Sequence, residues 1–103
     1  MKINVYMSKR DKSAYAEGVY DVESTVVKAG GRISETFHGT SKIEAIRNDY
    51  RYVDRNRNII KDCVFNTPSE AAQFVNGNIS NGFRVWKVNG INLGVYLSAQ
   101  EKK

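Results

Sequence analysis

At 103 residues the chain is the size of one domain, long enough to bury roughly 60–70 % of the surface its unfolded form exposes. Hydrophobic residues at 41 % and charged residues at 26 % are ordinary for a globular protein and exclude wholesale disorder, and no apolar run approaches the ~20 residues of a membrane span. Sixteen Lys and Arg against eleven Asp and Glu leave a charge of +5, which suits an anionic partner without requiring one.

The N-terminal MKINVYMSKRDK lacks the apolar centre of a signal peptide, and the single cysteine, Cys63, has no internal disulfide partner. The expectation is a cytoplasmic protein with one domain over residues 1–99 and a short charged tail at 100–103. Ile3, Val5 and Met7 alternate with Asn4 and Tyr6, the pattern of a strand with one wet face. A polar loop, 8–13, follows. Residues 15–20 and 24–29 read as two short strands closed by Gly30-Gly31, and ISETF (33–37) as a further extended piece.

Ser41 and Glu44 stand as S-x-x-E, a capping box, ahead of an apolar stripe made by Ile43, Ile46, Tyr50 and Val53. This spacing predicts a helix over 42–52. RNRN (55–58) breaks it, and IIKDCVF (59–65) has the β-branched and aromatic content of a strand. Thr67 and Glu70 form a second capping box, with Pro68 at the first helical position and Gly77 as the stop, so a second helix is expected over 68–76. Asn89-Gly90 favours a tight hairpin between RVWKV and INLGVYL, pairing Val88 with Ile91 and Trp86 with Leu93. In that register Trp86, Leu93 and Val95 share one face and Val85, Lys87, Asn92 and Gly94 the other, with Trp86 in the core. The fold class expected is α+β, a mainly antiparallel sheet of about five strands with two α-helices.

Little in the sequence suggests catalysis. A nucleophilic Cys–His pair would have to use Cys63 and His38, which carry no local signature. No Cys/His cluster has zinc-ligand spacing, no phosphate-binding glycine loop is present, and Asp21 and Glu23 lack a partner base. The expectation is a non-enzyme without cofactor or metal. Binding is another matter. In RNDYRYVDRNRNIIK (47–61), Arg47, Arg51, Arg55, Arg57 and Lys61 stand against Asp49 and Asp54, five cations against two carboxylates, or +3. Arg47 and Arg51, four apart, would share a helix face and track phosphates, with Asn48 close by and Tyr52 stacking on a base. The alternative is a solvated helix face with Arg47 paired to Glu44. Lys9, Arg10 and Lys12 form a smaller basic loop, for which plain solubility is the preferred reading over binding. Tyr15 and Tyr20 are expected to pack across strands.

FNTPSEAAQFVNGNISNGFRVWKVNG (65–90) resembles domain-of-unknown-function family 4357, whose pattern runs phenylalanine, two residues, Pro-Ser-x-Ala-Ala, a glycine, then Asn-Gly and Trp-Lys. That family is similar to the RAMA domain of restriction and methylase systems. Ala14, Ala16-Glu17-Gly18 and Val26-Val27-Lys28 agree with its first strands, so the resemblance covers about residues 3–97. It implies an α+β domain that accompanies GIY-YIG-type nucleases or restriction–modification proteins and helps contact DNA. By position it carries over Lys28, Pro68, Ser69, Ala71, Ala72, Gly77, Asn81, Gly82, Trp86 and Lys87. Packing and capping leave Lys28, Asn81, Arg84 and Lys87 unexplained, which adds them to the nucleic-acid-binding candidates. Ala29 and an extra glycine follow Lys28, where the family has Gly-Ser directly. The partners expected are DNA or RNA, with a nuclease or methylase supplied by another chain. A rival expectation is a protein-interaction module that docks onto such a subunit through a patch near Tyr6, Tyr20 or Tyr96.

Overall fold

The computed structural model describes residues 1–101; Lys102 and Lys103 of the expected tail lie outside them. Among these residues the strands are β1 (Ile3–Ser8), β2 (Tyr15–Tyr20), β3 (Thr25–Val27), β4 (Cys63–Phe65), β5 (Lys87–Val88) and β6 (Ile91–Asn92). The helices are α1 (Ser41–Arg47), α2 (Pro68–Asn76), a single turn α3 (Gly82–Val85) and α4 (Leu93–Glu101). The strands form one antiparallel sheet in the order β4-β3-β2-β1-β5-β6. The fold is α+β, with one more strand and two more helices than the sequence led us to expect.

The period-two pattern fixes what each sheet face carries. Ile3, Val5 and Met7 of β1, Ala16 and Tyr20 of β2, Thr25 and Val27 of β3, and Cys63 and Phe65 of β4 are all buried. α2 lies against β2, β3 and β4, and its Ala71 and Ala72 allow close approach while Phe74 packs on Phe65. α2 begins where the sequence puts it. Thr67 Oγ1 accepts from the Glu70 amide at 3.1 Å, and the helix ends at left-handed Gly77. The Glu70 carboxylate reaches back to the Asn66 amide at 3.2 Å, one residue before the cap.

The family-like motif turns out to be a knot that ties α2 to the chain after it. Trp86, fully buried, donates from Nε1 to the Pro68 carbonyl at 3.0 Å. Ser69 Oγ accepts from the Gly82 amide at 2.9 Å. A Cβ on Gly82 would fall on the Pro68 and Ser69 backbone, so only glycine lets α3 lie this close to α2. Asn81 caps α3 by accepting from the Phe83 amide at 3.0 Å.

α1 departs from expectation. Its N-cap is Thr40 rather than Ser41, Ser41 is already helical, and the predicted capping box is not made. Thr40 instead turns to the buried Gln73, whose Oε1 accepts from its amide and its hydroxyl. The helix stops at Arg47, five residues early, because Asp49 Oδ1 accepts from the Arg51 amide and folds 49–53 into turns. Ile43 and Val53 are buried as the stripe predicts, but Tyr50 is left exposed. The 33–37 segment is irregular rather than extended, and only 63–65 of the expected 59–65 strand joins the sheet. At the hairpin, Val88 faces Ile91 and the Leu93 amide donates to the Trp86 carbonyl at 2.8 Å, as expected. The long strands on either side are absent, however. Asn92 Oδ1 accepts from the Val95 amide and starts α4, so residues from Leu93 onward are helical and Val95 is exposed.

Candidate nucleic-acid interface

The structure separates the cations that the sequence grouped. Arg47 is not on a wet helix face: it is 3 % exposed, and its guanidinium donates to the carbonyls of Phe74 (2.6 Å), Ser34 (2.6 Å) and Thr36 (3.2 Å) while lying 4.7 Å over the Phe37 ring. Burial first, and the nearby Arg57 second, lower its pKa to about 10. Enclosed in this way, the guanidinium is not open to a phosphate, and the alternative Glu44 pair is not made; the fork instead holds the 34–36 loop to the C-terminal turn of α2. Arg51 lies beyond the helix and is engaged by Asp49, with Nη2 to Oδ2 at 2.7 Å, a contact that holds the carboxylate to about 2. Arg47 and Arg51 therefore do not share a face.

Arg55 is exposed, and Arg57 sits half-buried with φ 68°, its Nη1 3.4 Å from the Arg47 carbonyl oxygen. Both edge a small depression that also holds Asp54. Hydrogen bonds from Asn58 and Asn56 keep the Asp54 carboxyl ionised below the usual range. Lys61 and Arg51 both stack near Tyr52, at 5.6 and 5.5 Å, so its ring already has cationic company. Arg84 is exposed on α3, beside a separate depression that Phe83 and Val95 also line. Asn81, as the cap of α3, has a structural role.

Lys28 and Lys87, by contrast, are brought together by the topology. One sheet face is covered by α2; the other carries Asn4, Tyr6 and Ser8, Tyr15, Glu17 and Val19, and Val26 and Val64. Tyr6 pairs with Glu17 on one side and Lys87 on the other. The β2–β3 register, continued by the Lys28 amide donating to the Glu17 carbonyl at 2.9 Å, puts Lys28 next in line. Directly opposed residues project from the same face, so Lys87, Tyr6, Glu17 and Lys28 make one row across β5, β1, β2 and the end of β3. Ser8, Tyr15 and Arg32 form a second row beside it, and Arg32 pairs with Glu35 at 3.2 Å.

Between these rows lies a depression of about 570 Å³ walled by Tyr6, Tyr15, Lys12 and Glu17 and floored near Gly30-Gly31. A second depression, of about 370 Å³, runs from Tyr6 and Glu17 to Lys28 and Asn89. Tyr6 and Tyr15 are 43 % and 41 % exposed. Tyr15, expected to pack across strands, is left exposed to solvent on this face. Tyr20, named for both packing and a docking patch, is buried with its edge on Phe83, and Tyr96 is half-buried against the core. Of those three docking tyrosines Tyr6 is the most exposed. Neither Tyr6 nor Glu17 was singled out as a nucleic-acid contact by sequence reasoning; the alternation of β1 marked Tyr6 as wet, and the register supplies its neighbours.

Cys63 is buried, its thiol pushed up to about 12 by burial and by Asp62, and it donates to the Lys61 carbonyl. No helix among the described residues is long and apolar enough to cross a membrane. No curated protein matches the chain, and no solved structure does. The model of one family, Domain of unknown function (DUF4357), matches residues 6–94. That match takes in the Pro68–Trp86 knot and both lysines of the open sheet face, and the chain belongs to the DUF4357 family.

Proposed function

We propose that this protein is a non-catalytic accessory domain that contacts nucleic acid through the basic, uncovered face of its sheet. The observation that carries the reading is the row Lys87–Tyr6–Glu17–Lys28, which sets two ammonium groups at its ends with an aromatic ring between them. Packing uses up the rest of the family-like motif, whereas these two lysines have no fold-holding task. Lysine ammoniums can neutralise phosphates, and the overall charge of +5 favours the encounter. The inert character of the buried Cys63 thiol supports a non-catalytic role. The resemblance drawn from the sequence gives such a domain a nuclease or restriction–modification protein to serve.

Titrating labelled duplex and single-stranded DNA at about 50 and 200 mM salt tests the reading. Binding should weaken steeply with salt, by ~0.9 log units per log of salt for each duplex phosphate neutralised and ~0.7 for single strands. An absence of binding to both at low salt ends it.

A docking module for a protein subunit is the second reading. It is favoured by Val64, 67 % exposed on the edge strand β4 and adjacent to Val26 on the same face. Under this reading Val64→Lys abolishes co-purification of the partner chain; unchanged co-purification removes it.

A further inference from the structure

We infer that the open sheet face is a site for single-stranded nucleic acid, with two bases stacked on Tyr6 and Tyr15. The inference rests on the nucleic-acid reading above and specifies the form of strand. Tyr6 faces Glu17 and Tyr15 faces Ser8 in the β1–β2 ladder, which makes the two tyrosines diagonal neighbours on one face. Diagonal positions lie ~7–8 Å apart, so neither ring need cover the other and each can offer a face to a different base. Both rings wall the same depression of about 570 Å³, and both keep about two fifths of their surface in water. Paired bases of a duplex have their flat faces hidden in the stack. Only a single strand can turn two of them onto a flat sheet.

The charges around the rings suit the same occupant. Lys12 borders the depression on one side, and Lys28 and Lys87 lie at the two ends of the neighbouring row, so cations surround the tyrosines. Glu17 is the carboxylate between them. Phosphates passing directly over it would be repelled, whereas the N–H edge of a base can donate to it. The phosphates therefore meet the flanking Lys12, Lys28 and Lys87, and the bases lie over the tyrosines and Glu17 between them.

Fluorescence anisotropy with a labelled DNA strand of about 12 nucleotides, the RNA strand of the same sequence, and the matching DNA duplex provides the test. At about 50 mM salt one or both single strands should bind at least tenfold tighter than the duplex. Tyr6→Ala and Tyr15→Ala should each weaken single-strand binding roughly tenfold with the salt slope unchanged, and Tyr6→Phe and Tyr15→Phe should retain it. Lys28→Ala should instead flatten the single-strand slope by about 0.7. Melting curves on every variant check that the fold stays intact. Equal binding to strand and duplex, with the tyrosine variants unaffected, overturns the single-strand inference and leaves the nucleic-acid reading standing. No binding to any of the three probes overturns both.

Discussion

Trp86 puts its whole indole inside the core and still satisfies its one donor, because the Pro68 carbonyl lies 3.0 Å from Nε1. Its ring also reaches Gly18 of β2, so it joins the sheet to α2 and α3 at once. Trp86→Ala should cost on the order of 3–5 kcal/mol, a large part of the ~5–15 kcal/mol that holds a domain together, and a denaturant melt will read it. Arg47 is buried for a different reason. Its fork accepts no substitute readily, since it reaches the carbonyls of residues 34, 36 and 74 together. Bonds from a charged donor contribute about 1.5–3 kcal/mol each, so Arg47→Ala should lose at least ~3 kcal/mol. Arg47→Lys should recover less than half, because an ammonium cannot span the same acceptors. A loss within ~0.5 kcal/mol for Arg47→Ala would mean that this arginine behaves as a surface residue after all.

At the scale of elements, the sequence is most legible where one residue has one local job. Thr67, Pro68, Glu70 and Gly77 delimit α2 almost to the residue, and Asn89-Gly90 sets the hairpin register. α1 was misread because Ser41 and Glu44 imitate a capping box, while the real determinants are distant: Gln73 holds Thr40, and loop carbonyls draw Arg47 inward. α4 hides behind a strand-like INLGVYL, since the Asn92 cap overrides the β-branched pattern only once the chain leaves the sheet edge. The candidate interface was legible as scattered letters. Lys28 and Lys87 were named, but nothing local says that β5 joins the sheet beside β1 and lines them up through Tyr6. The loop that ends α1 has its own pH signature. Asp49 is held to about 2 by Arg51, and Asp54 is lowered by Asn58, both below the ~3.9 of an unfolded chain. Stability from these carboxylates is complete above about pH 4 and is lost as pH falls through their folded values. Denaturation midpoints followed from pH 4.5 to 2 should therefore fall, and Asp49→Asn with Asp54→Asn should flatten that fall. An equally steep loss in the double variant would assign the acid sensitivity elsewhere.

For the whole molecule, the charge of +5 is less informative than where it is available. Arg47 is enclosed, Arg51 is matched by Asp49, Arg32 by Glu35 and Lys42 by Glu70. Lys28 and Lys87 stand on the sheet face with two exposed tyrosines. A general attraction between a basic protein and a polyanion depends on net charge, whereas a located interface depends on particular cations. Two double variants separate these cases. Lys28→Ala with Lys87→Ala, and Arg51→Ala with Arg55→Ala, each remove two of the sixteen cations and take the formal charge from +5 to +3. Because net charge is then equal, any difference in binding reports position. The lysine pair should lower the salt slope by about 1.4 on single strands, two phosphates at ~0.7 each, and weaken binding to all sequences alike. The arginine pair should leave the slope within a few tenths of the unaltered protein, because Arg51 is already neutralised by Asp49 and Arg55 sits off the open face. Equal losses in the two variants would mean that attraction is diffuse, and a loss confined to the arginine pair would move the interface to the 47–61 segment.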